Sequence, residues 1–163
     1  MTEAASTFHN GVRTLNGGDL EPVIAIDRAH SGSSRRHFFA KRFAAAAARP
    51  GEFIQIGVVR GGSLRGFAIA RVFSGEFGRE PAIAMLDAIG VEVEVQETGV
   101  GHELMDGLIE AMRSAGVDTV QSQTDWTDHR LMRFFDASGF KLARRVVLER
   151  PVSEPLAEPS EEE

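Results

Sequence analysis

The spacing of apolar positions changes twice along this chain, and the changes mark out its elements. Val12–Leu15 alternates as a short strand, and Gly17-Gly18 breaks it. Asp19 has the side chain to cap a helix, because its carboxylate accepts from free first-turn N–H groups. Leu20, Val23 and Ile24 follow at three- and four-residue spacing, which places them on one helical face. After Ser31-Gly32-Ser33-Ser34, a second helix is predicted over Arg35–Ala48, with Phe39, Phe43 and Ala46 on one stripe. Five consecutive alanines favour it and Pro50-Gly51 ends it.

The period then shortens to two. Phe53–Val59 and Leu64–Phe73 are rich in β-formers and flank Gly61-Gly62-Ser63, a hairpin signal. Gly75–Pro81 reads as a loop. Ile83–Val91 is nearly unbroken apolar sequence, as in a strand covered on both faces. His102–Ser114 returns to helical spacing, with Leu104, Met105, Leu108, Ile109 and Met112 forming one face and Gly116 as a stop. Val117–Thr124 predicts a strand, Asp128–Ala137 a short helix ended by Gly139, and Phe140–Glu149 one or two closing strands. The order strand, two helices, three strands, helix, strand, helix, strand implies an α/β domain with a mixed sheet and helices on both faces.

Composition narrows the class. At 163 residues, 42% hydrophobic and 26% charged, the chain fits one globular domain. No apolar run approaches the ~20 residues that span a bilayer, and Met1–Asn10 has no secretory pattern. The expectation is therefore a cytoplasmic protein with no membrane partner. The absence of cysteine excludes disulfides, thiolate metal sites and a cysteinyl acyl intermediate. Much of the net charge of −6 comes from Glu154, Glu158, Glu161, Glu162 and Glu163, set among prolines. Residues 151–163 are expected to form an acidic disordered tail, 12–150 a single domain, and 1–11 a flexible N-terminus. No basic stripe interleaved with aromatics points to nucleic acid. The five histidines have no ligand spacing, so no metal site is expected.

The strongest chemical signal is Gln96-Glu97-Thr98-Gly99-Val100-Gly101, between an apolar strand and an amphipathic helix. A helix N-terminus carries unpaired N–H groups and partial positive charge. Glycines just before it let backbone approach an anion such as a pyrophosphate. The loop lacks the Gly-Lys-Ser/Thr ending of a P-loop, and its glycine spacing is not that of a dinucleotide fingerprint.

Val91–Gly101, followed by Leu104 and Met105, resembles the acetyl-coenzyme A motif of the GCN5-related N-acetyltransferases, Arg/Gln-x-x-Gly-x-Gly/Ala. Downstream, Asp128-x-x-Leu131-x-x-Phe134-Phe135-x-x-x-Gly139-Phe140 resembles that family's Asn-x-x-Ala-x-x-Phe-Tyr-x-x-x-Gly-Phe signature, at a typical distance. The resemblance spans Val12–Arg150. It implies a mostly antiparallel sheet splayed between two parallel central strands, with acetyl-CoA as cosubstrate. It further implies that Val91 and Val93 offer backbone groups to the pantetheine arm and that backbone N–H groups of Gln96, Glu97, Thr98, Gly99, Val100, Gly101 and His102 hold the pyrophosphate. Asp128 stands near the cofactor, Arg133 within reach of the 3′-phosphate, and Phe135 where the family often has a tyrosine. The implied activity is direct transfer of an acetyl group to a primary amine of a small molecule or peptide. A non-catalytic coenzyme A sensor of the same fold is the alternative.

Two departures bear on chemistry. Glu92, Glu94 and Glu97 surround a site meant for a polyanion, and the chain has no tyrosine to protonate a leaving thiolate. Ser138, His129 or water are substitutes for that acid, with Ser138 taken forward. For the base, Asp87 leads as the one charged residue between Pro81 and Val91; the competing role is an ion pair with an arginine such as Arg71. Arg35 and Arg36 fall where the family borders its acceptor pocket, with solvated helix-end residues as the competing reading; Trp126, in a loop after a strand, is a candidate to line the acceptor site or simply to pack. A homodimer is expected only from the frequency of two-fold assemblies.

Overall fold

The computed structural model describes residues 11–75, 81–96, 98–153 and 155. Most of the loop before β4, Glu97 and most of the acidic tail lie outside this set, as do residues 1–10. Nine elements follow the predicted order: β1 (Val12–Thr14), α1 (Leu20–Ser31), α2 (Arg36–Ala48), β2 (Phe53–Arg60), β3 (Ser63–Phe73), β4 (Ala82–Val91), α3 (Val100–Ser114), β5 (Val117–Ser122) and α4 (His129–Ala137). The sheet runs β1-β2-β3-β4-β5, antiparallel except for the β4–β5 pair. No described helix is long and apolar enough to cross a membrane.

Two apolar layers hold helices to the sheet. On one face, Val23, Ile24 and Ile26 of α1 and Phe39 of α2 bury against Phe67 and Ile69 of β3, and the Phe39 and Phe67 rings meet edge to face at 5.6 Å. On the other, Leu104, Met105, Leu108 and Met112 of α3 cover Ile56, Val58, Ala68, Ala70, Ala84 and Leu86. Gly107 permits the approach of α3 to β1, since a Cβ there would lie 2.7 Å from Val12.

A β-bulge divides β4. Ala70 pairs with Leu86 and Ile69 with Ala88, leaving Asp87 opposite no residue. The extra residue reverses the alternation: Ala84 and Leu86 face α3 before it, whereas Ala88 faces α1 after it. The bulge coincides with the end of β4–β5 pairing. The last paired residues are Leu86 and Ser122, with the Ser122 hydroxyl donating to the Leu86 carbonyl at 3.1 Å. β4 continues to Val91 while β5 stops, and the sheet opens there.

Two expectations are corrected. Asp19 does not cap α1 with its side chain. Its carboxylate accepts from Arg13 at 2.7 and 2.9 Å and from the Asn16 N–H at 2.8 Å, and Asn16 caps the preceding turn. An arginine on the neighbouring strand competes better for a buried carboxylate than a helix N–H does. Phe140–Glu149 forms no strand. Leu142, Val146, Val147 and Leu148 are 66–94% exposed, so β5 is an edge strand rather than a central one. The β-rich composition is there, but a strand exists only when its backbone groups find a partner strand, and among the described residues this segment has none.

Candidate functional site

The opening between β4 and β5 leads into a cleft of about 360 Å³ lined by His30, Ile89, Gly90, Val91, Gln96, Gly101, Asp128, Arg130, Leu131 and Phe134. Four remote elements build it. β4 supplies one wall, α1 ends on it with His30, the loop into α3 forms its floor, and the first turns of α4 form the far wall. Gly90 keeps the β4 wall thin, because a Cβ there would lie 2.8 Å from Phe67 and 3.2 Å from Ile26.

Val91 is the hinge of this geometry. The Glu92 N–H bonds to Arg65 of β3 at 2.7 Å. Alternation of an antiparallel ladder then turns the Val91 N–H and carbonyl to the opposite side, where β5 has ended. The Val91 carbonyl lies 2.6 Å from His30 Nε2 and accepts from Gln96 Nε2 at 3.1 Å. With Nε2 donating, the His30 ring leaves Nδ1 as its acceptor.

The glycine loop takes the form its sequence implies. Val93–Val95 makes one helical turn and the Thr98 hydroxyl donates to the Val95 carbonyl at 2.5 Å. Gly99 sits at φ +89°, a left-handed conformation that costs a side-chain-bearing residue ~1–2 kcal/mol. No side chain caps α3. The Glu103 N–H returns to Gly99 at 3.0 Å, and the earlier N–H groups of the first turn have no capping acceptor among the described residues. Gly101 lies against the cleft wall; a Cβ there would stand 3.2 Å from the Phe134 ring. An uncapped helix start beside a cation, Arg130, and an apolar wall fits a phosphate-bearing ligand with an extended arm.

The acidic residues around the loop are partly neutralised. Glu92 pairs with Arg65 at 2.5 Å and Glu103 with Arg60. Asp128 accepts from the Leu131 N–H at 3.0 Å and so caps α4 while lining the cleft. Asp125 accepts from the Thr127 hydroxyl at 2.6 Å and its N–H at 2.9 Å, which holds its carboxyl below the usual range.

Of the residues singled out in the sequence, Val91, Gln96, Gly101 and Asp128 meet in the cleft. Val93, Thr98, Gly99 and Val100 shape the loop without lining it, and His102 is exposed. Glu97 lies outside the described residues. Arg133 is exposed and away from the lining, where Arg130 stands instead. Phe135, 8% exposed, packs on Phe140 at 4.8 Å in the core, and its neighbour Phe134 faces the cleft.

Neither proposed acid–base residue lines it. Ser138 closes α4 with its hydroxyl donating to the Phe134 carbonyl at 2.8 Å. Asp87 has an 8% exposed side chain beneath α2; it accepts from Arg71 at 2.7 and 3.1 Å and lies 2.9 Å from Arg42 Nε. Both arginines face a separate groove with Arg49 and Glu52. Arg35 and Arg36 are likewise engaged, with Asp27 and Glu21. Trp126 is 79% exposed. Leu131 and Phe134 of the second signature also line the cleft, whereas His30, Ile89, Gly90 and Arg130 stand in neither motif. For Leu131 and Phe134 the three-residue spacing from Asp128 is a legible signal; for His30, 61 residues from Val91, there is none.

These features have counterparts in known proteins. Residues 23–140 match the model of the acetyltransferase (GNAT) family, and the chain belongs to that family. No curated protein matches it in sequence. Among solved structures it is similar to a transcriptional regulator from Bacillus halodurans C-125, with 17% identity, 85% of this chain and 97% of that one covered, and a TM-score of 0.73. It is also similar to a putative acetyltransferase from Agrobacterium tumefaciens str. C58, with 19% identity, 86% and 99% coverage and a TM-score of 0.72. A third is AAC(6')-Iy bound to the bisubstrate analog CoA-S-monomethyl-acetylneamine, with 17% identity, 86% and 96% coverage and a TM-score of 0.72. At such identities the likeness establishes the fold.

Proposed function

We propose that the protein transfers an acetyl group from acetyl-CoA to a primary amine by direct attack in a ternary complex. The observation that carries this reading is the opening of β4 from β5 beyond Leu86 and Ser122, ending at the uncapped start of α3. Complexes of AAC(6')-Iy with CoA and with a bisubstrate analog show that this fold accommodates such a ligand in a related chain. Here the first-turn N–H groups of α3, with Arg130, would hold the pyrophosphate, and the freed edge of β4 would pair with the pantetheine arm. Asp125 and Asp128 favour a cationic acceptor, in keeping with the aminoglycoside acetyltransferases among the structural neighbours.

In the reaction a C–N bond forms, the thioester C–S bond breaks, and the amine loses a proton. The Val91 N–H, turned away from β3, is placed to polarise the thioester carbonyl. His30, fixed by its bond to the Val91 carbonyl, takes the role of base through Nδ1, directly or through one water. Asp87 is assigned to the scaffold, because its oxygens already engage Arg71 and Arg42. The thiolate, with a pKa of ~8.5 on the cysteine scale, leaves without a protein acid, so Ser138 has no step. The burial of Phe135 and the lack of tyrosine favour one alternative, a coenzyme A sensor without turnover.

Titration with acetyl-CoA, followed by thiol release against a panel of amines, tests the proposal. Saturable binding with amine-dependent release is expected, and His30→Gln should lower kcat ~10²-fold with little change in acetyl-CoA affinity. Absence of binding refutes both readings. Binding without release for any amine leaves the sensor, and unchanged kcat in His30→Gln removes that residue from the chemistry.

A further inference from the structure

We propose that the groove between the C-terminal half of α2 and the end of β3 is a second ligand site, built to bind a small dianion such as a phosphate monoester or a dicarboxylate.

The groove has a volume of about 450 Å³ and shares no lining residue with the cleft. It lies toward the other end of the sheet. Phe73 pairs with Ile83 near the start of β4, and the cleft begins at Ile89, ~20 Å further along that strand. Two periodicities build its walls. Arg42, Ala45 and Arg49 recur at three and four residues on one face of α2, and the small Ala45 leaves room between two long side chains. Arg71 and Phe73 alternate onto the face of β3 that α2 covers, while the Val72 side chain packs on the α3 side.

The charges do not balance there. Arg42, Arg49 and Arg71 carry a fixed positive charge at any working pH. Asp87 lies buried beneath α2, and both its oxygens accept from Arg71. Arg42 Nε is 2.9 Å from the same carboxylate without the alignment of a hydrogen bond, and it is buried with no other partner. One carboxylate between two guanidiniums leaves one positive charge in excess. Arg49 meets Glu52 at 3.0 Å, but both side chains are more than half exposed, so water and salt weaken that pair.

Aromatic rings hold the cations in position. The Arg42 guanidinium stands 4.9 Å from the Phe38 centroid and that of Arg71 stands 5.0 Å from the Phe73 centroid. Forks fixed in this way match the paired oxygens of a phosphate or a carboxylate and lose little further freedom on binding. A dianion meets the excess at Arg42 and Arg71 with one charge and takes Arg49 from Glu52 with the other.

Spectra of the backbone amides and arginine Nε–H groups of the isotope-labelled full-length protein, at constant ionic strength, are titrated with inorganic phosphate, with succinate and with chloride. Saturable shifts at Arg42, Arg71, Phe73 and Ser74 are expected with phosphate, succinate or both, and none that saturates with chloride. The tighter of the two probes tells a phosphate ligand from a carboxylate one. Arg42→Gln and Arg49→Gln should each weaken binding roughly tenfold, the worth of a charge-assisted hydrogen bond. Lys41→Gln, on α2 but outside the groove lining, should change it by less than about twofold, because salt screens an exposed charge. Arg130→Gln removes the cation of the cleft and should leave the groove shifts in place. The absence of saturable shifts with both phosphate and succinate overturns the proposal. So does binding that is lost in Arg130→Gln and kept in Arg49→Gln, or an equal loss in Lys41→Gln and Arg49→Gln, which would report net charge alone. If Arg42→Gln fails to fold, Arg49→Gln still decides, because its partner Glu52 is exposed. The titration uses no acetyl-CoA, so its outcome is separate from that of the acetyl-transfer reading.

Discussion

Replacing Asp87 with asparagine separates a scaffold role from a catalytic one. The carboxylate is almost fully buried and holds two guanidiniums at 2.7–3.1 Å. At an effective dielectric of ~20 and a charge separation of ~4 Å, each attraction is about 4 kcal/mol before desolvation. Removing one member of a fully buried pair typically costs about 3–5 kcal/mol. Arg42 and Arg71 retain 25% and 33% side-chain exposure, so both can recover water when the charge is lost. Asparagine also keeps one acceptor oxygen. The expected loss is therefore smaller, about 2–3 kcal/mol. For a chain of this size each kcal/mol lowers Tm by ~2–4 °C, which predicts a fall of roughly 4–12 °C. Thermal unfolding by circular dichroism measures the fall, and thiol release well below Tm measures kcat. The scaffold assignment expects kcat within about threefold of the parent, whereas loss of a general base costs ~10²–10⁴-fold. A Tm within a degree of the parent would refute the ion-cluster reasoning, and a kcat loss of that size would return Asp87 to the chemistry.

Gly99→Ala meets no atom within 4 Å, so its cost is conformational: about 1–2 kcal/mol of stability and weaker acetyl-CoA binding by calorimetry, because the loop must abandon φ +89°. Gly101→Ala tests the opposite limit. Its helical φ suits any residue, but the new methyl presses on Phe134 at 3.2 Å, and acetyl-CoA affinity should fall more than Tm. Gly90→Ala places a methyl 2.8 Å from the fully buried Phe67 ring and should cost about 1–3 kcal/mol in urea unfolding. Asp19 provides a pH test. Burial raises its pKa, but the hydrogen bond from Arg13 and that from the Asn16 N–H outweigh burial and hold it below its ordinary 3.8. A depressed carboxyl contributes stability that is present above its unfolded pKa and lost as pH falls through the lower folded value. Acid unfolding of Asp19→Asn should accordingly be less steep below about pH 4 than that of the parent.

Local pattern made most of the fold legible. Helical spacing placed α1, α2 and α3, the β-rich runs around a glycine turn placed β2 and β3, and an unbroken apolar run placed β4, because those patterns reflect which side chains meet the core. The two motifs, each with its glycines, also gave the family, since Gly99 must adopt a left-handed conformation and Gly101 must lie flush against Phe134. What pattern could not supply was partnership. Phe140–Glu149 has the composition of a strand, but strand formation depends on pairing with a neighbour, and among the described residues this segment pairs with none. Asp87 sits in an apolar run as a base would, yet the bulge turns it under α2, where Arg42 and Arg71 claim it. His30 carries no motif at all; it reaches Val91 only because α1 packs across the sheet and ends there. The sequence by itself determined the order of elements, the anion-binding loop and the family. The tertiary structure alone decided which charges were spent on each other and which faced the cleft, because ion pairing and access depend on distances between residues far apart in the chain.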